Sequence, residues 1–121
     1  MTDSPAPRRL ANAEQLDDVL TAPLALIYKH STRCPIAAAA LQEMRQLLED
    51  RPGAPVWMVD VNTQRTLSRE IADQTGVTHE SPQAILLSNG DVFYDVSHFE
   101  IKADDLAREL DAAEEGARGA A

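Results

Sequence analysis

The chain has 121 residues, the size of one domain with one hydrophobic core, and its 11 basic against 20 acidic residues leave a formal charge of −9. That balance repels phosphate backbones and no basic stripe offsets it, so nucleic acid is not an expected partner. The longest mostly apolar stretch, Ala22 to Tyr28, is far too short to cross a bilayer, and Met1 to Leu10 has no apolar block of the secretory kind, so no membrane partner and a cytoplasmic location are expected.

Residues 1–11 carry prolines and charges without periodicity and are expected to form a flexible N-terminal arm. Asn12 is placed to cap a first helix, with Gln15 in the capping-box position and Leu16, Val19 and Leu20 as its apolar face. Pro23 ends that helix. Leu24 to Tyr28 is a short continuous apolar run, the pattern of a strand buried on both faces. Ala37 to Asp50 has helical periodicity through Leu41, Met44, Leu47 and Leu48, and the Pro-Gly-Ala-Pro run ending at Pro55 stops it. Val56 to Val61 is a second buried strand. Thr66 to Gln74 is a further helix, with Leu67 and Ile71 inward and Gly76 at the C-cap.

Ala84 to Ser88 and Asp91 to Ser97 flank Asn89-Gly90, the strongest short-range hairpin signal. A last helix, Ala103 to Glu114, turns Leu106 and Leu110 inward, and residues 116–121 form a flexible tail. Trp57, Met58 and Phe93 read as core, and Glu43, Glu49, Glu109, Asp111, Glu114 and Glu115 as solvated surface. The domain then spans 12–115. The first two strands, joined through a helix, are parallel with a right-handed crossover, and the hairpin is antiparallel. The fold class is α/β: a mixed sheet of about four strands with helices on both faces, and chemistry beyond the carboxyl ends of the parallel strands.

Cys34 is the chain's one cysteine, which excludes an internal disulfide and a four-cysteine zinc site. It follows a strand and precedes Pro35, a residue suited to the first position of a helix because it needs no hydrogen-bond donor there. The free N–H groups and positive dipole end of a first helical turn favour a thiolate, and Lys29 and Arg33 add positive charge if they turn towards it. The plain alternative for a lone cysteine is a small buried hydrophobe, and the helix-start context favours the nucleophile. Pro82, after Ser81 and directly before a strand, is the second clue. It is either a cis residue beside the thiol loop or an ordinary strand-entry proline.

His30, His79 and His98 each fall in or next to a loop. The layout brings His79 and His98 towards the thiol, where one of them can hold or receive a proton, or each simply has its hydrogen bonds satisfied in a loop. No pair has metal-ligand spacing within one element, so no metal site is expected.

Lys29-His-Ser-Thr-Arg-Cys-Pro-Ile-Ala37, Val59-Asp-Val61, Thr75-Gly-Val-Thr-His-Glu-Ser-Pro-Gln83 and Ser97-His98 closely resemble the YtxJ-like family of monothiol bacilliredoxins. The resemblance runs from about Asn12 to Leu110. It implies a thioredoxin-like fold and an enzyme that removes bacillithiol from mixed disulfides on client proteins. It places the reactive cysteine on Cys34 within Thr32-Arg33-Cys34-Pro35 and a cis-proline on Pro82, after Ser81. It also implies that the backbone beside Pro82 holds the incoming disulfide. His79 belongs to the same loop, and by comparison with thioredoxin His98 takes the place of a glycine packed against the active site. No bound cofactor is implied; bacillithiol is a thiol co-substrate, and a second bacillithiol or another redox protein is the resolving partner. The chain departs from the family at Ala37, where a serine is usual and where a dithiol thioredoxin has its second cysteine.

Three other readings remain open at this level. The same exchange can act on glutathione or mycothiol adducts. Cys34 can ligate an iron–sulfur cluster or metal between two subunits, although monothiol glutaredoxins do so with Cys-Gly-Phe-Ser and this chain has Cys-Pro-Ile-Ala. Finally, the chain can be a thioredoxin-like adaptor with an inert cysteine.

Overall fold

A computed structural model describes residues 5–119. The elements in chain order are β1 (Arg8–Arg9), α1 (Ala13–Thr21), β2 (Leu24–His30), α2 (Pro35–Asp50), β3 (Val56–Asp60), α3 (Arg65–Thr75), β4 (Gln83–Ser88), β5 (Asp91–Ser97), a 3-10 turn (His98–Glu100) and α4 (Ala103–Gly119). The strands form one mixed sheet in the order β1-β3-β2-β4-β5. β1, β3 and β2 run parallel, and β4 and β5 are antiparallel to their neighbours.

Alternation along the central strands divides the core. Leu26 and Tyr28 of β2 pack with Met44, Leu47 and Leu106 under α2 and α4. Ala25 and Ile27, one residue out of phase, pack with Leu16, Leu67 and Ile71 under α1 and α3. A strand covered on both faces has no polar side, which is why β2 and β4 read as continuous apolar runs.

Local signals account for the ends of the elements. Asn12 Oδ1 accepts from Gln15 N at 2.9 Å, while Gln15 Oε1 accepts from Ala11 N at 2.8 Å, so the reciprocal bond reaches one residue beyond the usual capping box. Gly76 closes α3 in the left-handed region at φ 76°. Asn89 and Gly90 both have positive φ, 51° and 83°, as a tight hairpin turn requires.

The sheet has five strands where four were expected. The additional strand is β1, within the stretch read as a flexible arm. Leu10 N donates to Met58 O at 2.9 Å, Leu10 is fully buried, and the Arg8 guanidinium lies 5.7 Å from the Trp57 ring centroid. One apolar side chain and a free sheet edge are enough to fix this short stretch, a pattern too brief to carry periodicity. At the other end the α4 backbone runs on to Gly119, past Gly116, and residues 120–121 of the expected tail lie outside the described residues. Phe93, read as core, is 43% exposed: it is the residue left unpaired where the β4–β5 register shifts between Leu86 and Leu87. Glu43, read as solvated surface, accepts from Ala103 N at 2.7 Å and so caps the first turn of α4. Asp111 of the same acidic group pairs with Arg51.

Candidate functional site

Cys34 is the N-cap of α2, with extended backbone (φ −113°, ψ 120°), and its side chain is half-buried. Pro35 occupies the first helical position, and no side chain caps the helix. The sulfur therefore sits at the open, positive end of a 16-residue helix. Cys34 O accepts from Ala37 N at 3.0 Å, and Cys34 N donates to Ser31 O at 3.4 Å, so the backbone on either side of the thiol is fixed by local bonds.

The loop before Cys34 is anchored from another element. Asn62 Oδ1 accepts from Ser31 Oγ at 3.0 Å, from Thr32 N at 3.0 Å and from Thr32 Oγ1 at 3.3 Å. Asn62 is itself set by Asp60, whose Oδ1 accepts from Asn62 N at 2.8 Å, and Val61 N donates to His30 O at 2.9 Å. One side-chain oxygen between β3 and α3 thus holds the thiol loop. Arg33 is exposed, its N donates to Ser31 Oγ at 3.3 Å, and its guanidinium makes no ion pair among the described residues.

Two different polar groups lie on opposite faces of β2 beneath this loop. On the α2 face the fully buried Tyr28 hydroxyl lies 2.8 Å from His30 Nδ1 and 3.2 Å from Ala37 O, to which it donates. Burial, and then the negative charge of Cys34, hold the Tyr28 hydroxyl above the usual phenol range. His30 is pushed below the usual imidazole range by burial, with Asp60 opposing and Arg45 reinforcing the shift.

On the α3 face Lys29, also fully buried, places Nζ 3.0 Å from His79 Nδ1. Ser68 Oγ is 3.3 Å from the same nitrogen. Burial lowers the Lys29 ammonium to about 8. His79 is lowered too, by burial first and then by the Lys29 charge, while Glu80 acts in the opposite sense. Lys29, which adds charge beside the thiol only if its side chain turns that way, points to the α3 side of the sheet, because it shares the parity of Ala25 and Ile27.

The loop from Thr75 to Gln83 is fixed by Gln83, whose Nε2 donates to Thr78 O at 2.9 Å and whose Oε1 accepts from Glu80 N at 3.4 Å. The Ser81–Pro82 peptide is cis. The Ser81 hydroxyl is buried without a hydrogen-bond partner among the described residues. His98 has φ 55°, the left-handed region that favours glycine, and its N donates to Pro82 O at 3.0 Å. His98 is thereby fixed to the proline loop through its backbone. His30 reaches the first turn of α2 through Tyr28, and the 3-10 turn that begins at His98 packs against the same helix. Among the described residues no three His, Cys, Asp or Glu side chains converge as a metal-ligand set.

Tyr28, Asn62, Ser68 and Gln83 were not singled out in the sequence. For Tyr28 a signal existed, since strand parity places it with Leu26 towards the helix that carries Cys34. For Asn62 none did, because its partners are about thirty residues away in sequence.

Comparison with known proteins agrees with this geometry. A proposed oxidoreductase with a thioredoxin fold is 31% identical at a TM-score of 0.80, covering 86% of this chain and 93% of that one. A mutant thioredoxin from Halobacterium salinarum NRC-1, 20% identical, superimposes at 0.72 over 93% of this chain and 96% of its own. A thioredoxin from Trypanosoma brucei brucei, 13% identical, gives 0.75 over 93% and 95%. These last two speak for the fold alone. The model of the monothiol bacilliredoxin BrxC family matches residues 8–106, a span that includes Cys34, the Asn62 anchor and the Pro82 loop. The chain belongs to the monothiol bacilliredoxin BrxC family and is a thiol–disulfide oxidoreductase of thioredoxin fold.

Proposed function

We propose that this protein removes bacillithiol from mixed disulfides on client proteins, through a covalent adduct on Cys34. The observation that carries the reading is a half-buried lone thiol at the uncapped start of α2, in a chain of the bacilliredoxin family. The Cys34 thiolate attacks the bacillithiol sulfur in line with the client sulfur. The Cys34–bacillithiol S–S bond forms, the client S–S bond breaks, and the client leaves as a thiolate that takes a proton from solvent. With no second cysteine in the chain, the adduct is resolved from outside: a second bacillithiol thiolate attacks it, giving bacillithiol disulfide and free Cys34. Another redox protein can replace that second thiol.

The supporting residues have distinct parts in this reading. Thr32, tied to Asn62, keeps the approach to the sulfur open, and the exposed Arg33 and Pro35 form its rim. The backbone of Ser81 and Pro82, joined by a cis peptide, receives the disulfide. His98 fixes that loop through Pro82 O, and His79 orders its far end. Ala37 offers no hydroxyl to the thiol, so the side chain at that position takes no part in the exchange.

The test is intact-mass analysis after mixing reduced protein with a bacillithiolated client, with Cys34→Ser as control. Gain of one bacillithiol on the wild type, with release of the client thiol and no gain on the variant, is expected. No transfer to a protein whose Cys34 still alkylates readily refutes the bacillithiol reading.

A further inference from the structure

A cleft of about 300 Å³ lies between α3 and the loop that precedes β4, lined by Val61, Arg65, Ser68, Arg69 and His79. Its chemistry is unlike that of the chain as a whole. The protein carries a formal charge of −9, yet two arginines face this one cleft from successive turns of α3. Neither guanidinium has an ion pair or hydrogen bond among the described residues. Behind them stands Lys29, fully buried, with His79 Nδ1 as its hydrogen-bond partner and no carboxylate paired with it among the described residues. An ammonium withdrawn from water and left without a counter-ion is costly, and the cost is relieved by an anion placed nearby. Glu80 is the acidic side chain whose charge reaches His79 from the loop, and it is exposed.

The cleft also adjoins the reactive loop. Val61 precedes Asn62, whose Oδ1 holds Ser31 and Thr32, and His79 is on the loop that carries Pro82. The cleft thus opens on the α3 side of the loop that leads to Cys34, within one residue of Asn62 and three residues of Pro82 along the chain. Of the small thiols that form protein adducts, bacillithiol bears a malyl group with two carboxylates and glutathione bears two carboxylates, whereas mycothiol and cysteamine bear none.

We infer that the cleft formed by Arg65, Arg69, Ser68 and His79, with Lys29 behind it, binds the carboxylates of the small thiol during exchange. The inference rests on the exchange reaction proposed above and names the part of the adduct that the protein recognises. Arginine supplies a planar, two-pronged donor matched to a carboxylate, and Ser68 and His79 close the floor. Recognition by these groups confines the enzyme to anionic thiols and disfavours neutral ones.

The test compares the wild type with the double variant Arg65→Gln, Arg69→Gln, whose changes lie at exposed positions on α3. One neutral peptide is supplied with its cysteine bonded either to bacillithiol or to cysteamine. The variant is expected to raise KM for the bacillithiol adduct about tenfold or more, with little change in kcat and no rise in KM for the cationic cysteamine adduct. L-Malate alone is expected to shift the Ser68 and His79 NMR resonances of the wild type and not those of the variant. Equal KM values for the two proteins on the bacillithiol adduct, with no malate-induced shifts, overturn the inference. A KM effect that follows an acidic peptide bonded to cysteamine, and not the bacillithiol adduct, overturns it in favour of client recognition. Malate binding that depends on both arginines, in a protein that does not take up bacillithiol, supports an anion site and refutes the exchange reading alone.

Discussion

Replacing Lys29 with methionine is expected to stabilise the protein at neutral pH and to lose that advantage in alkali. Lys29 is fully buried, and a fall from the usual 10.5 to about 8 corresponds to about 3 kcal/mol of differential cost for the charged form. Methionine is close to the lysine chain in length and carries no charge. It gives up the hydrogen bond to His79, worth about 1 kcal/mol. Lys29→Met should therefore be more stable by about 2 kcal/mol at pH 7.

The sign of the pH dependence follows from which state binds the proton. Below pH 8 both folded and unfolded wild type hold it, and the full cost is present. Between about 8 and 10.5 the folded protein releases it first, the unfolded state binds more protons, and wild-type stability climbs towards that of the variant. Tyr28, held above its usual value, has the opposite influence above pH 10, but it is present in both proteins and cancels in the difference. His79, lowered partly by Lys29, should recover in the variant and widen the gap slightly below pH 6.5. Urea unfolding at half-unit steps from pH 6 to 10.5 measures the difference directly. A variant less stable at pH 7, or a gap that stays constant to pH 10, refutes the reasoning.

Two further outcomes test the architecture around the thiol and the hairpin. Asn62→Ala removes an oxygen that accepts from Ser31 and Thr32; stability should fall by about 1–2 kcal/mol, and the Thr32 amide should exchange with solvent much faster. An unchanged Thr32 exchange rate would show that the loop is held by something else. Gly90→Ala should cost more than about 1 kcal/mol, because φ is +83° and the new Cβ would lie 2.5 Å from Leu20 O. Gly53→Ala, with nothing within 4 Å, is the matched control in the same thermal melts and should leave the midpoint nearly unmoved.

Most of the fold was legible because most of its signals are local. Asn12 and Gln15 mark the start of α1, Gly76 the end of α3 and Asn89-Gly90 the hairpin, and each lies within a few residues of what it controls. β1 was not legible, since two residues give no period and its partner Trp57 is far along the chain. The position of Cys34 before Pro35 was equally plain in the sequence. What surrounds Cys34 was only half readable. The apolar run of β2 also hid its own alternation: Leu26 and Tyr28 face α2, Ala25 and Ile27 face α3, and the polar residues that follow inherit those sides. Extending that alternation by two residues would have separated Lys29 from His30. The anchoring by Asn62 depends on the β2–β3 register, with His30 opposite Asp60, and no local pattern encodes it.

The lone sulfur at the head of α2 has a consequence for how the protein behaves as a population. A dithiol enzyme clears its own adduct from within, because the second thiol is present at an effective concentration that no dilute reagent matches. Here that neighbour is Ala37, whose side chain is buried and inert. In the exchange proposed above, clearance is a collision with an outside thiol, and its rate scales with the supply of that thiol. On that proposal the occupied fraction of Cys34 tracks the balance between modified clients and free small thiol around it. A single side chain thus makes the enzyme a gauge of its surroundings as well as a catalyst.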